Sequence, residues 1–183
     1  PDNPEGWASQ EIPFRFQWTF PIHISPHNNE RVYVGSQFVH QTTNGGQTWE
    51  VISPDLTTND PSKQMATGGL TVEDASPTYN SVLFAIAESP LSEGTIWAGS
   101  HDGLVHVTRN GGQNWSNVTA NIPSLPPFGT ISNIEPSRFD DASAYITVDF
   151  HQLGNSDPHV YKTADFGASW KSVVGDLPKS VFS

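Results

Sequence analysis

Two aspartates in matching settings are the residues of this chain best placed for chemistry. Asp102 lies in "GSHDG" and Asp149 in "VDFHQ". Each follows the second strand of a repeated unit, so the two occupy comparable loops at one end of the molecule. Two carboxyl groups across a cleft are what glycoside hydrolysis requires, one as acid and one as base or nucleophile. Further carboxylates expected at that end are Asp55, Asp60, Glu73 and Asp74. His101 and His151 fall in the same loops as the two aspartates, and a His–Asp pair can orient a base or ligate a metal. His101, Asp102, Asp149 and His151 are therefore also the candidate ligand-binding set. A plainer account competes with catalysis and is the commoner one. Aspartate is a frequent turn former, so Asp102 can simply shape the "HDG" turn and Asp149 end a strand.

The remaining polar residues offer less. No H-x-H or H-E-x-x-H spacing occurs, so no metal site is assigned. A loop site for Ca²⁺ on carboxylates is the version to expect if there is one, ahead of Zn²⁺. His159 ends the longer loop "HQLGNSDPH", while His23 and His40 alternate with apolar neighbours and read as strand residues. "NWS" (114–116) and "NVT" (117–119) have the form of glycosylation acceptors, the first hindered by its place in a hairpin. Trp18 and Trp97 fit strands. Trp7, in the polar segment "PDNPEGWASQ", is free to stack on a ligand or to lie on the domain as part of an arm.

Composition bounds the class of protein. The 183 residues carry 19 acidic and 8 basic side chains, for a formal charge of −11. That balance, with no cluster of Lys or Arg, argues against nucleic acid and anionic membrane surfaces as partners. There is no cysteine, which removes disulfides, thiolate metal sites and cysteine nucleophiles. No apolar run approaches the roughly 20 residues of a membrane helix. The chain opens on Pro1 without a Met, as a processed or truncated start would. Fifteen Gly, fifteen Pro, six Trp and ten Phe in a weakly charged chain describe an ordered, turn-rich β protein.

The elements that would position the aspartates come from internal repetition. "TTNGGQTW" (42–49), "TRNGGQNW" (108–115) and "TADFGASW" (163–170) are one phrase written three times. Their tryptophans, Trp49, Trp115 and Trp170, are 66 and 55 residues apart. Each phrase has a matching segment upstream, at 20–36, 84–100 and 132–148. Alternation predicts four strands per unit. Unit one places them near 14–24, 32–36, 38–43 and 48–53. Unit two places them near 81–88, 95–100, 104–109 and 114–119. Unit three places them near 129–135, 143–150, 158–163 and 169–174. Four-stranded units in series are blades of a β-propeller, and stacking covers faces that a lone blade leaves bare.

The phrase itself is turn chemistry. Asn44, Asn110 and Asp165 can accept backbone N–H bonds, and Thr42, Thr108 and Thr163 add a hydroxyl. Gly46, Gly112 and Gly167 supply a left-handed backbone position. The closing Trp buries a large ring while its N–H seeks an acceptor. All twelve residues are expected to be structural, closing a hairpin between strands three and four at the end opposite the ligand.

This pattern resembles the Asp-box, or BNR repeat, Ser/Thr-x-Asp/Asn-x-Gly-x-Thr/Ser-Trp; phrase two departs from it at Asn114. "FPIHISPHNNERVYVGSQFVHQTTNGGQTWEVISPDLT", "AESPLSEGTIWAGSHDGLVHVTRNGGQNWSNVTANIPSLP" and "IEPSRFDDASAYITVD" look like bacterial sortilin-like (VPS10-like) BNR propellers, often labelled glycosyl hydrolase or sialidase-like. The resemblance spans residues 14 to 180. It implies a larger propeller of which this chain supplies three blades. It also implies that a xyloglucan-cleaving relative would use two Asp on different blades, which Asp102 and Asp149 would match. A sialidase would need an arginine cluster, and Arg15, Arg31, Arg109 and Arg138 are scattered, with Arg31 and Arg138 at the wrong end.

The expectation is thus an all-β, partial β-propeller of about three blades. An arm or linker covers 1–13, blade one 14–54, a connection 55–80, blade two 81–120, blade three 121–176, and the start of a following blade 177–183. Its expected role is a non-catalytic binding or scaffold module of an exported protein, extracellular, on the cell surface or periplasmic. The ligand would be a protein segment or a polysaccharide, with no cofactor. The remaining blades, or another copy of the chain, would complete the ring. The alternatives are a glycoside hydrolase finished by further blades and a cell-surface assembly subunit using open blade edges.

Overall fold

The computed structural model describes residues 11–64 and 81–179, and they form three four-stranded antiparallel sheets. Trp7, Glu73 and Asp74 lie outside the described residues. Blade one contains β1 (Ile22–Ile24), β2 (Val32–Gly35), β3 (Val39–Thr42) and β4 (Glu50–Val51). Blade two contains β5 (Leu83–Glu88), β6 (Ile96–Ser100), β7 (Val105–Thr108) and β8 (Ser116–Asn117). Blade three contains β9 (Thr130–Pro136), β10 (Ala144–Asp149), β11 (Val160–Thr163) and β12 (Lys171–Ser172). In every blade the strands pair in chain order. Among the described residues no helix is long and apolar enough to cross a membrane.

The three blades share one register. The threonine that opens each phrase pairs with the first residue of the second strand: Thr42 with Val32, Thr108 with Ile96, and Thr163 with Ala144. Two differences from the expected strands have local causes. Residues 14–20 form no ladder, and Gln17–Phe20 closes a turn; Pro21, with no N–H to donate, only accepts the Gly35 N–H at its carbonyl, at 3.1 Å. The segment is held by side chains instead. Arg15 donates its backbone N–H to Gln37 Oε1 at 2.8 Å, and Gln37 Nε2 donates to the Pro13 carbonyl at 2.9 Å. The fourth strands are only two residues long, as outermost strands often are. One further backbone bond extends each: Ile52 to Val39, Val118 to Val105 and Val173 to Val160, all 2.9 Å.

Two cores lie between the blades. Tyr33 and Val39 meet Leu83, Ile86, Ile96 and Ala98 between blades one and two, with Trp115 packed against them. Between blades two and three, Trp97, Val105 and Val107 meet Ile131, Ile146 and Trp170. The alternation explains both. Ile96 and Ala98 of β6 face blade one, while the intervening Trp97 faces blade three and meets Trp170 edge to face at 5.9 Å.

The repeated phrases close the β3–β4, β7–β8 and β11–β12 hairpins with one hydrogen-bond set. The threonine hydroxyl donates to the Asn or Asp side chain two residues on, at 2.9, 2.9 and 2.8 Å. The same hydroxyl accepts the glycine N–H at 2.9, 3.1 and 2.9 Å. Asn44, Asn110 and Asp165 each accept the backbone N–H four residues later. Gly46, Gly112 and Gly167 have φ of 90°, 93° and 83°, the left-handed region that favours glycine. The residue between, Gly45, Gly111 or Phe166, donates its N–H to the first turn of its own blade, at Glu30, Gly94 or Ala142. Each blade is thereby clasped at one end.

Candidate functional site

At the opposite end, the β6–β7 and β10–β11 turns present the four sequence-predicted residues. Asp102 is buried and both its oxygens are engaged. Oδ2 accepts from the Thr58 backbone N–H at 2.9 Å and the Thr58 hydroxyl at 2.6 Å. Oδ1 accepts the Ser100 hydroxyl at 2.5 Å, and Ser100 Oγ in turn accepts the Leu104 N–H. Asp102 therefore ties the connection after blade one to the β6–β7 turn. Asp149 stands at the end of β10, where Oδ1 accepts the His151 N–H at 2.8 Å and Oδ2 contacts His151 Nδ1. This Asp149–His151 pair is partly open to solvent, with the His side chain 46% exposed.

His101 joins the two blades. Burial pushes its imidazole below the usual range, opposed by Asp102, by a hydrogen bond to Gln152 and by Asp149. Its Nε2 is buried without a partner. The structure so brings His101 of blade two to the 3-10 turn His151–Leu153 of blade three. Asp102 is turned toward Thr58, and Asp149 toward His151.

The other candidates serve local structure. Asp55 accepts from Arg15 Nη2 at 2.9 Å and from the Thr57 N–H and hydroxyl. Asp60 caps a 3-10 turn through the Ser62 N–H and hydroxyl. His159 packs edge to face on Phe150, and His40 bonds Ser36 Oγ. Arg31 pairs with Glu93, and Arg109 lies over the Phe166 ring. The four arginines do not converge. Among the described residues no group of three or more His, Asp or Glu is arranged to hold a metal ion.

A hollow of about 420 Å³ opens beside Asp102, walled by Leu104, Ile122, Leu125, Pro126, Pro127 and Phe128. The sequence expectation placed this segment within blade three, ahead of its first strand, and gave it no role. Ser124 and Phe128 both adopt positive φ, 56° and 64°. For a bulky ring this is a strained backbone, and such strain gathers at functional positions. Lys63 Nζ stands 3.1 Å from the centre of the Phe128 ring. The signal in the sequence was a large aromatic after Leu-Pro-Pro and before Gly129.

Geometrically similar solved structures define the class. An ancestral GH74 enzyme superposes with a TM-score of 0.59 at 18% identity, covering 88% of this chain and 19% of its own. The GH74 xyloglucanase from Xanthomonas campestris gives 0.55 at 13%, covering 86% and 22%. YCF48 from Cyanidioschyzon merolae gives 0.54 at 18%, covering 88% and 41%. The three sheets are blades of the β-propeller class to which these structures belong. This chain spans less than half the length of each. No family model matches it, and no curated protein matches it in sequence.

Proposed function

We propose that these blades form a non-catalytic binding or scaffold module within an exported Asp-box propeller, taking a protein segment or a polysaccharide at the β6–β7 and β10–β11 end. The observation that carries this reading is the contrast at that end. Asp102 spends both oxygens on internal hydrogen bonds, while the adjoining hollow joins aliphatic, proline and aromatic walls to the hydroxyl residues Thr58, Thr119 and Ser124. Apolar walls with a few fixed polar groups are how binding hollows are built. The ring of Phe128 is 41% exposed, and the surface that Lys63 leaves uncovered can meet a sugar face or an apolar side chain. An extracellular, cell-surface or periplasmic setting agrees with this use.

Isothermal titration with xyloglucan oligosaccharides and with a panel of extended peptides tests the reading. A ligand whose affinity falls at least tenfold in Phe128→Ala supports it. Binding unaffected by Phe128→Ala would move the ligand elsewhere.

One observation favours a second reading, a glycoside hydrolase completed by further blades. Asp149 keeps a partly exposed carboxylate beside His151, at a turn equivalent to that of Asp102. Xyloglucan hydrolysis lost in Asp149→Asn and retained in Phe128→Ala would select it.

A further inference from the structure

We propose that Asn44 and Asn110 are latent sites of spontaneous deamidation, kept intact by the closed clasp and released to react when it opens. They are the only asparagines of the chain that precede a glycine, Gly45 and Gly111. A glycine nitrogen has no Cβ beside it to hinder attack, and its backbone turns freely. Once it passes its proton to solvent, that nitrogen can add to the side-chain carbonyl carbon of the asparagine. A carbon–nitrogen bond forms, the side-chain nitrogen leaves as ammonia, and a succinimide ring results. Water then opens the ring. Breaking the bond to the side-chain carbon gives aspartate. Breaking the bond to the main-chain carbon gives isoaspartate, which adds a carbon to the path of the main chain.

The closed clasp withholds both partners of this reaction. The nucleophile is engaged, because Gly45 donates its N–H to the Glu30 carbonyl at 3.3 Å and Gly111 to the Gly94 carbonyl at 3.0 Å. The amide is pinned as well. Asn44 Oδ1 accepts the Thr42 hydroxyl at 2.9 Å and the Thr48 N–H at 3.0 Å. Asn110 Oδ1 accepts the Thr108 hydroxyl at 2.9 Å and the Asn114 N–H at 3.0 Å. The leaving nitrogen of Asn44 is also held, donating to Thr48 Oγ1 at 2.9 Å. Bonds to Oδ1 polarise the carbonyl and by themselves would favour attack. Orientation outweighs this, because addition needs the side chain free to swing its carbon onto the glycine nitrogen. Both asparagines are exposed, so water is at hand and the opening of the clasp sets the rate.

The third phrase shows what the products would do. Its Asp165 accepts the Thr163 hydroxyl and the Ser169 N–H, both at 2.8 Å. Aspartate at position 44 or 110 can therefore close the same turn. Isoaspartate cannot, because its longer main chain draws Gly46 or Gly112 away from the threonine hydroxyl that it bonds, at 2.9 and 3.1 Å. Openings of the clasp are thus recorded irreversibly in blades one and two. Blade three has no side-chain amide at that position to lose.

Mass spectrometry of digests, after incubation of the full chain in mildly alkaline buffer, tests this. The peptides TTNGGQTW and TRNGGQNW serve as unclasped references. In the folded chain each site should deamidate at least about tenfold more slowly than its peptide, and the chain unfolded in urea should match the peptides. Thr42→Val removes the hydroxyl of phrase one and should speed Asn44 about tenfold while leaving Asn110 slow. Thr108→Val should do the reverse. Thr42→Ser and Thr108→Ser keep the hydroxyl and should remain slow at both sites. Circular dichroism checks that each variant folds. Folded-chain rates equal to those of the peptides overturn the proposal. Equal rates at Asn44 in folded Thr42→Val and Thr42→Ser, or acceleration of both sites by one folded valine variant, overturn it as well.

Discussion

The three phrase glycines share a backbone conformation but not an environment, and this makes their substitutions unequal. Gly46→Ala forces a side chain into φ of 90° with open space around it. That strain should lower stability by about 1–2 kcal/mol. Gly112→Ala adds a collision with the Ile52 carbonyl, and Gly167→Ala a collision with Val118, so both should lose clearly more. Urea unfolding midpoints of the three variants check the order; equal losses would mean that the later blades do not press on their predecessors. Asp102→Asn removes acceptor capacity from a buried site that takes three donors. It should cost about 1–3 kcal/mol, seen as a lower thermal midpoint. The hydrogen-bonding role of Asn44, Asn110 and Asp165 could be read from the sequence, because a short acceptor before glycine has few other uses. Phe128 could not, because its positive φ falls in an irregular connection outside any repeated turn, whereas the same feature at Phe166 falls within the third phrase.

At the level of the blade, the phrase tryptophan is a fastener with variable finish. Trp115 is half-buried and bonded through its N–H to Ile52, whereas Trp170 is buried with its N–H unpaired. Both substitutions lose packing where the indole shrinks; Trp115→Phe should lose about 1 kcal/mol more through the missing hydrogen bond, whereas Trp170→Phe forfeits no hydrogen bond and should show the packing loss alone. Differential scanning calorimetry of the two variants separates them. Strand order and register were legible because the same turn recurs three times and sets the pairing on either side of it. The first strand of blade one was expected from residue 14 but runs only over Ile22–Ile24, since alternation persists through 14–20 although the chain turns at Gln17–Phe20. The partners of Asp102 were not legible. Thr58 lies 44 positions away, on a connection whose path depends on how two blades meet.

The whole molecule should weaken in mild acid. Burial lowers the imidazoles of His23, His40 and His101, and brings His106 down to about 4, against partial opposition from Asp102 and Asp55. A group that is harder to protonate when folded binds more protons in the unfolded chain. The stability these histidines contribute is therefore present above pH 6.5 and is lost as pH falls from 6.5 toward 4. His106, brought down to about 4, should contribute the largest share of that fall, on the order of a few kcal/mol. His106→Gln should flatten the decline between pH 6.5 and 4 in chemical denaturation. An unchanged slope would assign the acid sensitivity to other groups.

The clasp that closes one end of every blade also bears on how such a chain can change over generations. Because the phrase bonds to the first turn of its own blade, that end of each blade is closed by the blade's own residues, whatever the length of the chain that delivers it. The route from Val51 to Leu83 is much longer than that from Asn117 to Thr130, yet both deliver the next blade in the same register. Insertions can accumulate along these routes at a small closure penalty, roughly 0.6 kcal/mol for each doubling of length. A duplicated gene segment that begins and ends within such routes would encode a finished building unit, ready to be inherited whole.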